Sequence, residues 1–403
     1  MNKIFKASIF AVAVLATVSL TSCGDDDDDD IKGGTEKVDP YADAENLEYN
    51  SENAAAWGNY AVNVAKLLND DSQALYNEWN NSFANDFKAH NAASGYKSAV
   101  DCVKQILEGC TDIANEVGTA KIGEPVDYWT SNKKTQALYA VESWYSWHSR
   151  DDYKNNILSI ANSLLGQPIT GSPAKFEYKT AMSEGKLTQN SIIVKCMSND
   201  KLRAASIAVW QNVGKAWSAI DAIPQPFRNN IGSSEAAAAM DACAELVSSL
   251  EELNGLVEDN LSEKDCQAIV DQFVDNVALP TYKDLAAKNK ALLEAVQALQ
   301  KNPSNATFEA ACEAWLASRQ PWETSEAFLF GPVSELGLDP NMDSWPLDQD
   351  GIVQVMKEQK WSSFQWTGDY DEDSEAIEAA QSLRGFHTLE YLLFKDGKAR
   401  TVK

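Results

Sequence analysis

Of the three histidines in this chain, His387 stands three residues before Glu390 inside an apolar run. Ala376, Ala380, Leu383, His387, Glu390 and Phe394 follow at steps of 4, 3, 4, 3 and 4, the spacing of a buried helical seam. His387 and Glu390 thus hold positions where the pattern asks for aliphatic residues, beside Phe386, Leu389, Leu392 and Leu393. A carboxylate in such surroundings is costly unless it is paired or binds a metal. One turn apart, an imidazole and a carboxylate can share one ligand or hydrogen-bond each other. The chemistry on offer is cation or polar-ligand binding, with a self-satisfied pair that fixes helix register as the competing outcome.

The pattern argues against other uses of these residue types. HExxH is absent because Thr388 follows His387, and HxxEH because Tyr391 follows Glu390. A zinc peptidase usually needs three protein ligands, an open position and a general base. His90 and His148 match no ligand motif. A di-iron bundle uses paired ExxH helices, whereas this chain has one HxxE. Oxygen ligands with one imidazole suit iron better than zinc.

Gly385-Phe386-His387-Thr388-Leu389-Glu390 resembles the GxHxxE motif of the imelysin-like family, and Tyr391 to Phe394 continue its apolar tail. Ala317 to Trp322 with Ser325 to Gly331 resemble a second family block, and Trp345-Pro346-Leu347-Asp348 a third. Glu116 to Gly123 and Glu142 to Ser146 resemble segments that follow these blocks in most members. Here they come first, so the chain resembles a circularly permuted form with its halves exchanged; close termini make such an exchange easy. The resemblance implies exported proteins tied to iron uptake, with a site shared between two four-helix bundles. It also implies an alternative, an HxxE metallopeptidase.

Carried onto this sequence, the expected metal ligands are His387 and Glu390, with Glu326 and Asp348 as added oxygen donors. Gly385, Arg319, Trp345, Ser143 and Glu142 are the expected ligand-binding residues. Asp348 reads equally as the N-cap of a short helix beginning near Gln349. Glu326 can instead pair with Arg319, and Trp345 and Trp322 can be core packing. Iron, or a small iron-bearing ligand, is the expected cargo.

Helices must position these residues. Helices are expected near 52–69, 72–90, 97–117, 150–165, 199–222, 234–255, 304–318 and 374–394, and Leu285, Leu292, Val296 and Leu299 mark a stripe of another. Ser149 to Asp152 read as a capping box for the 150–165 helix, closed by Gly166 and Pro168. The breakers from Ile223 to Gly232 mark the best internal boundary. Ala216-Trp217 before Pro224 is echoed by Ala314-Trp315 before Pro321, a faint sign of duplication. The expected fold is all-α: two four-helix-bundle-like domains, 41–225 and 226–403, in a circularly permuted duplicated arrangement.

Lys3 and Lys6 precede an apolar run that ends at Leu20-Thr21-Ser22-Cys23. Residues 1–22 therefore read as a lipoprotein signal peptide with Cys23 as lipid attachment, and 23–40, with Asp25 to Asp30, as an acidic tether. Two or more acyl chains suffice for stable anchoring. The expected location is the cell envelope, on the outer membrane, beside an uptake partner. A net charge of −26 argues against nucleic acid as a ligand. The cysteines beyond Cys23 form no CxxC pair, and buried free thiols are the preferred reading. A structural or partner-docking surface lipoprotein is the further alternative; it needs no polar pair in the seam.

Overall fold

The computed structural model describes residues 47–91, 94–366 and 368–402. The signal peptide, Cys23 and the acidic tether lie outside the described residues. The long helices are α1 (Ala54–Glu78), α2 (Ala99–Glu116), α3 (Ser149–Leu165), α4 (Arg203–Ala222), α5 (Ser234–Asn260), α6 (Glu263–Phe273), α7 (Leu279–Lys301) and α8 (Asn305–Glu323). Shorter α9 (Leu338–Asp343), α10 (Gln349–Glu358) and α11 (Gly385–Leu393) follow. A two-residue hairpin pairs Phe394 with Ala399. The all-α expectation is met. Among the described residues, no helix is long and apolar enough to cross a membrane.

Serine starts many of these helices. Ser98, Ser233, Ser262 and Ser304 each accept a hydrogen bond from the backbone N–H three residues on, satisfying a donor that the helix cannot. The capping box expected at Ser149 does not form. His148 is the N-cap of α3, and the Ser149 hydroxyl donates instead to the Glu142 carbonyl at 2.5 Å. The other end behaves as expected, with Gly166 in the left-handed region at φ 65°.

The helices pack as two closed rings of four. In the first, α1, α7, α8 and α11 each lie against the next; in the second, α2, α3, α4 and α5 do the same. The chain begins in the first ring, builds the second and returns. The boundary expected at 225/226 therefore falls inside the second ring, where α4 packs along α5. Proline and glycine there turn the chain between two helices of one bundle and separate no core. The rings meet where α8 packs on α3 and where the turn Glu326–Phe328 packs on α2. Trp57, Trp79, Trp315 and Trp322 are fully buried in one continuous core.

Two helix expectations near the chain ends are corrected. The segments 52–69 and 72–90 form one helix, α1, extended by a π turn at Trp79–Phe83 and a last α-helical turn at Ala84–Lys88. The single helix expected over 374–394 breaks into Glu375–Gln381 and α11, and Ala376 is exposed. Arg384 is extended and Gly385 takes φ 88°. A Cβ on Gly385 would stand 2.6 Å from the Met342 carbonyl oxygen, so only glycine lets the chain turn there against α9.

Candidate functional site

Arg319, on α8, is fully buried between the rings and surrounded by carboxylates. Its terminal nitrogens reach Glu142 Oε1 at 2.8 Å, Glu323 Oε1 at 2.6 Å and Asp343, and Nε donates to Asp152 Oδ2 at 3.3 Å. Each element contributes by helical spacing or by a sharp turn. Arg319 and Glu323 are one turn apart on α8, while α3 presents Asp152, Asn156 and Ser159 on one face. Asn156 Nδ2 donates to Glu323 Oε2 at 2.5 Å, and Ser159 Oγ accepts from the Ala327 N–H at 3.0 Å, fixing the turn that carries Glu326. Asp343 ends α9 and accepts from Trp322 Nε1 at 2.6 Å. The turn 140–148 supplies Glu142 and Ser143; Ser143, at φ 50°, donates to Asp152.

His387 enters this cluster from α11. Its Nε2 faces Asp343 Oδ1 at 3.1 Å and Glu142 Oε1 at 3.3 Å, while Nδ1 lies 3.0 Å from Glu390 Oε2. Glu390 Oε1 accepts from the Ser146 N–H at 2.7 Å. Both side chains are fully buried. Trp345 packs its ring 4.9 Å from the imidazole and donates to the Ala140 carbonyl at 3.1 Å.

The charges sort into ionised and neutral acids. Burial and Arg319 oppose a protonated His387, yet Asp343 and Glu142 outweigh them and hold the imidazole well above its ordinary value. Burial also opposes an ionised Glu142, but Lys121, the His387 hydrogen bond and Arg319 bring it down to about 2. Against the same burial, Arg319 and His387 hold Asp343 well below the carboxylate range. At Glu323 and Glu326 burial wins, over Arg319 in one case and Lys121 in the other, and both are raised.

Two groups of acids lie close enough to hold one cation. Ligand atoms of Glu142, Asp343 and His387 fall within 4.8 Å of one another, as do those of Glu323, Glu326 and Asp343. Arg319 pairs with acids of both groups, with Glu142 and Asp343 in the first and with Glu323 and Asp343 in the second. The first group depends besides on an imidazole that its acids hold protonated, whose Nε2 has no lone pair to donate. The second retains a free carboxylate. Glu326 is 6 % exposed and its carboxylate has no hydrogen bond or ion pair among the described residues. Asn156 Oδ1, beside Glu323, is likewise buried without a hydrogen-bond partner. Carboxylates outnumber basic groups here, and hard oxygen donors without thiolate suit iron, calcium-like or magnesium-like ions before zinc.

The expected site residues therefore divide. Glu142, Ser143, Arg319, Glu326, Trp345 and His387 come together. Asp348 does not join them: it is exposed and accepts from the Gly351 N–H at 2.9 Å, the N-cap of α10. Glu390 falls in neither group of possible ligands: its oxygens face His387 Nδ1 at 3.0 Å and the Ser146 N–H at 2.7 Å. Gly385 serves the turn into α11. The expected Glu326–Arg319 pair is replaced by Glu323–Arg319, one helical turn apart.

Sequence reasoning missed Lys121, Asp152, Asn156, Glu323 and Asp343. A signal for two of them existed: Asp152, Asn156, Ser159 and Ser163 follow at steps of 4, 3 and 4 along α3, all buried. That is a polar stripe where a seam should be apolar, the same anomaly that singles out His387.

The family model described as Imelysin matches residues 25–254 and 278–403. The fold is similar to the crystal structure of an imelysin peptidase from Bacteroides ovatus, at 48% identity and a TM-score of 0.82, over 89% of this chain and 100% of that one. A stretch of 123 residues is 36% identical to the Iron-regulated protein A of Synechococcus elongatus, and covers 30% of this chain and 30% of that relative. With the family model matched along most of its length, the chain belongs to the imelysin family.

Proposed function

We propose that the protein binds iron, or a small iron-bearing ligand, at the acid-rich cluster between the two rings and serves iron acquisition. The observation that carries this reading is Glu326, a buried carboxylate without a partner, within 4.8 Å of ligand atoms of Glu323 and Asp343. An unpaired buried acid is unfavourable in the empty protein and is stabilised by an incoming cation. In this reading Glu323, Glu326 and Asp343 supply oxygen ligands, Asn156 Oδ1 can add another, and His387 with Glu390 holds the walls in place. The Iron-regulated protein A relative lends the iron connection. The lipid on Cys23 and the acidic tether would hold the protein on the outer membrane, where an uptake partner would receive the iron. The metallopeptidase alternative finds less support, because a zinc peptidase needs an open coordination position and His387 and Glu390 are sealed.

Titration of the purified protein with iron, followed by calorimetry, tests the reading. Glu326→Gln is expected to weaken iron binding at least about tenfold, about 1.4 kcal/mol, with the helical circular dichroism spectrum retained. Equal binding by this variant and the wild type would sink it.

A further inference from the structure

Helix α2 ends in an unusual way: its last turn widens into a π turn at Val117–Lys121, a feature that recurs at functional sites. Two glycines allow it. A Cβ on Gly118 would stand 2.8 Å from the Cys243 Cβ on α5, and one on Gly123 would stand 2.8 Å from the Gly118 carbonyl oxygen. The Tyr153 hydroxyl donates to the Lys121 carbonyl at 3.1 Å and pins the end of the turn. The result is a lysine directed at the cluster.

Lys121 Nζ lies 3.2 Å from Glu142 Oε1 and 3.1 Å from Oε2, on the inner side. It also lies 3.6 Å from Glu116 Oε1, whose side chain is 50% exposed, whereas that of Lys121 is 9% exposed and that of Glu142 5%. The ammonium therefore stands between an inner carboxylate and one at the rim. Arg319, by contrast, is fully buried among Glu142, Asp152, Glu323 and Asp343.

We infer that Lys121 is a resident counter-ion that an incoming metal cation displaces, its ammonium moving from Glu142 outward to Glu116. The inference rests on the iron-binding reading above. A metal at Glu323, Glu326 and Asp343 adds positive charge to a poorly screened space that already holds Arg319, His387 and Lys121, and there like charges repel strongly. One resident cation must yield. Lysine carries its charge on a flexible four-carbon stem, and Glu116 offers that charge a partner in contact with water. No bond is made or broken in the exchange, and the net charge of the cluster rises by less than the charge of the metal. Lys121 thus sets both the affinity of the cluster and its access from solvent.

The test is anaerobic titration of the full chain with iron(II) alone. Lys121→Met is expected to bind iron(II) at least about tenfold more tightly than the wild type, with folding checked by thermal melting. If the wild type binds and Lys121→Met binds equally or more weakly, the displacement is wrong while the iron-binding reading survives. If the wild type does not bind, or binds without regard to Glu326→Gln, the underlying reading fails and this inference with it. Glu116→Gln keeps the question open to refutation should Lys121→Met not fold. Removal of the outer resting place is expected to weaken binding by about twofold to fivefold, and unchanged affinity overturns the exchange.

Discussion

Nδ1 of His387 and Oε2 of Glu390 lie 3.0 Å apart, each buried and each the other's partner. The remaining oxygen of Glu390 is taken by the Ser146 N–H at 2.7 Å. The pair therefore joins α11 to the turn 140–148, and the other imidazole nitrogen faces Asp343 and Glu142. This makes His387 an oriented wall of the cluster and Glu390 the residue that orients it, much as an outer-shell carboxylate orients a histidine.

Removal of Glu390 should show first in stability. Glu390→Ala leaves the Ser146 N–H and the Nδ1–H of the His387 imidazole unpaired in the core, a loss of about 3–5 kcal/mol. Urea denaturation checks it; a loss below about 1 kcal/mol would contradict the pairing.

Asp348→Ala separates a cap from a ligand. Loss of the N-cap of α10 should cost about 1 kcal/mol and leave iron affinity unchanged. An iron titration in which this variant weakens along with Glu326→Gln would return Asp348 to the site.

Stability should vary with pH on both sides of a maximum. Glu142 is brought down to about 2, so its contribution is present above the ordinary glutamate value of about 4.3 and is lost as pH falls toward about 2. His387 is raised, so its contribution is complete below about 6.5 and is lost as pH rises through the folded value. Glu326, raised by burial, also makes the empty protein less stable as pH climbs above about 4.3. Glu326→Gln should therefore raise the thermal midpoint of the iron-free protein at pH 8 relative to wild type. A lower midpoint would mean that Glu326 has a stabilising partner.

The thiols should be silent in the native state. Cys102, Cys110, Cys196, Cys243, Cys266 and Cys312 are free and buried, and burial pushes Cys196, Cys243 and Cys266 up to about 12. Thiolate reagents should label none of the six until the chain is denatured. Fast labelling of the native protein would show a surface more open than the fold described.

The sequence alone determined the helical class and the anomaly of His387 and Glu390 in an apolar seam, because helical spacing and burial cost are local properties of the chain. It favoured free cysteines but left other pairings open, and the structure decided them. It also pointed to Arg319, Glu142 and Ser143 through motif resemblance. Only the tertiary structure decided which acid serves which cation. Asp343, Asp152 and Lys121 come from distant segments, and no spacing rule connects them to Arg319. The same holds for Asp348, whose motif placed it beside the site while its backbone made it a cap. The break at Gly385 belongs here too, since it depends on the Met342 carbonyl, 43 residues away in the chain. Pairing of charges across two helix rings is fixed by packing, and packing is settled only when the whole chain has closed on itself.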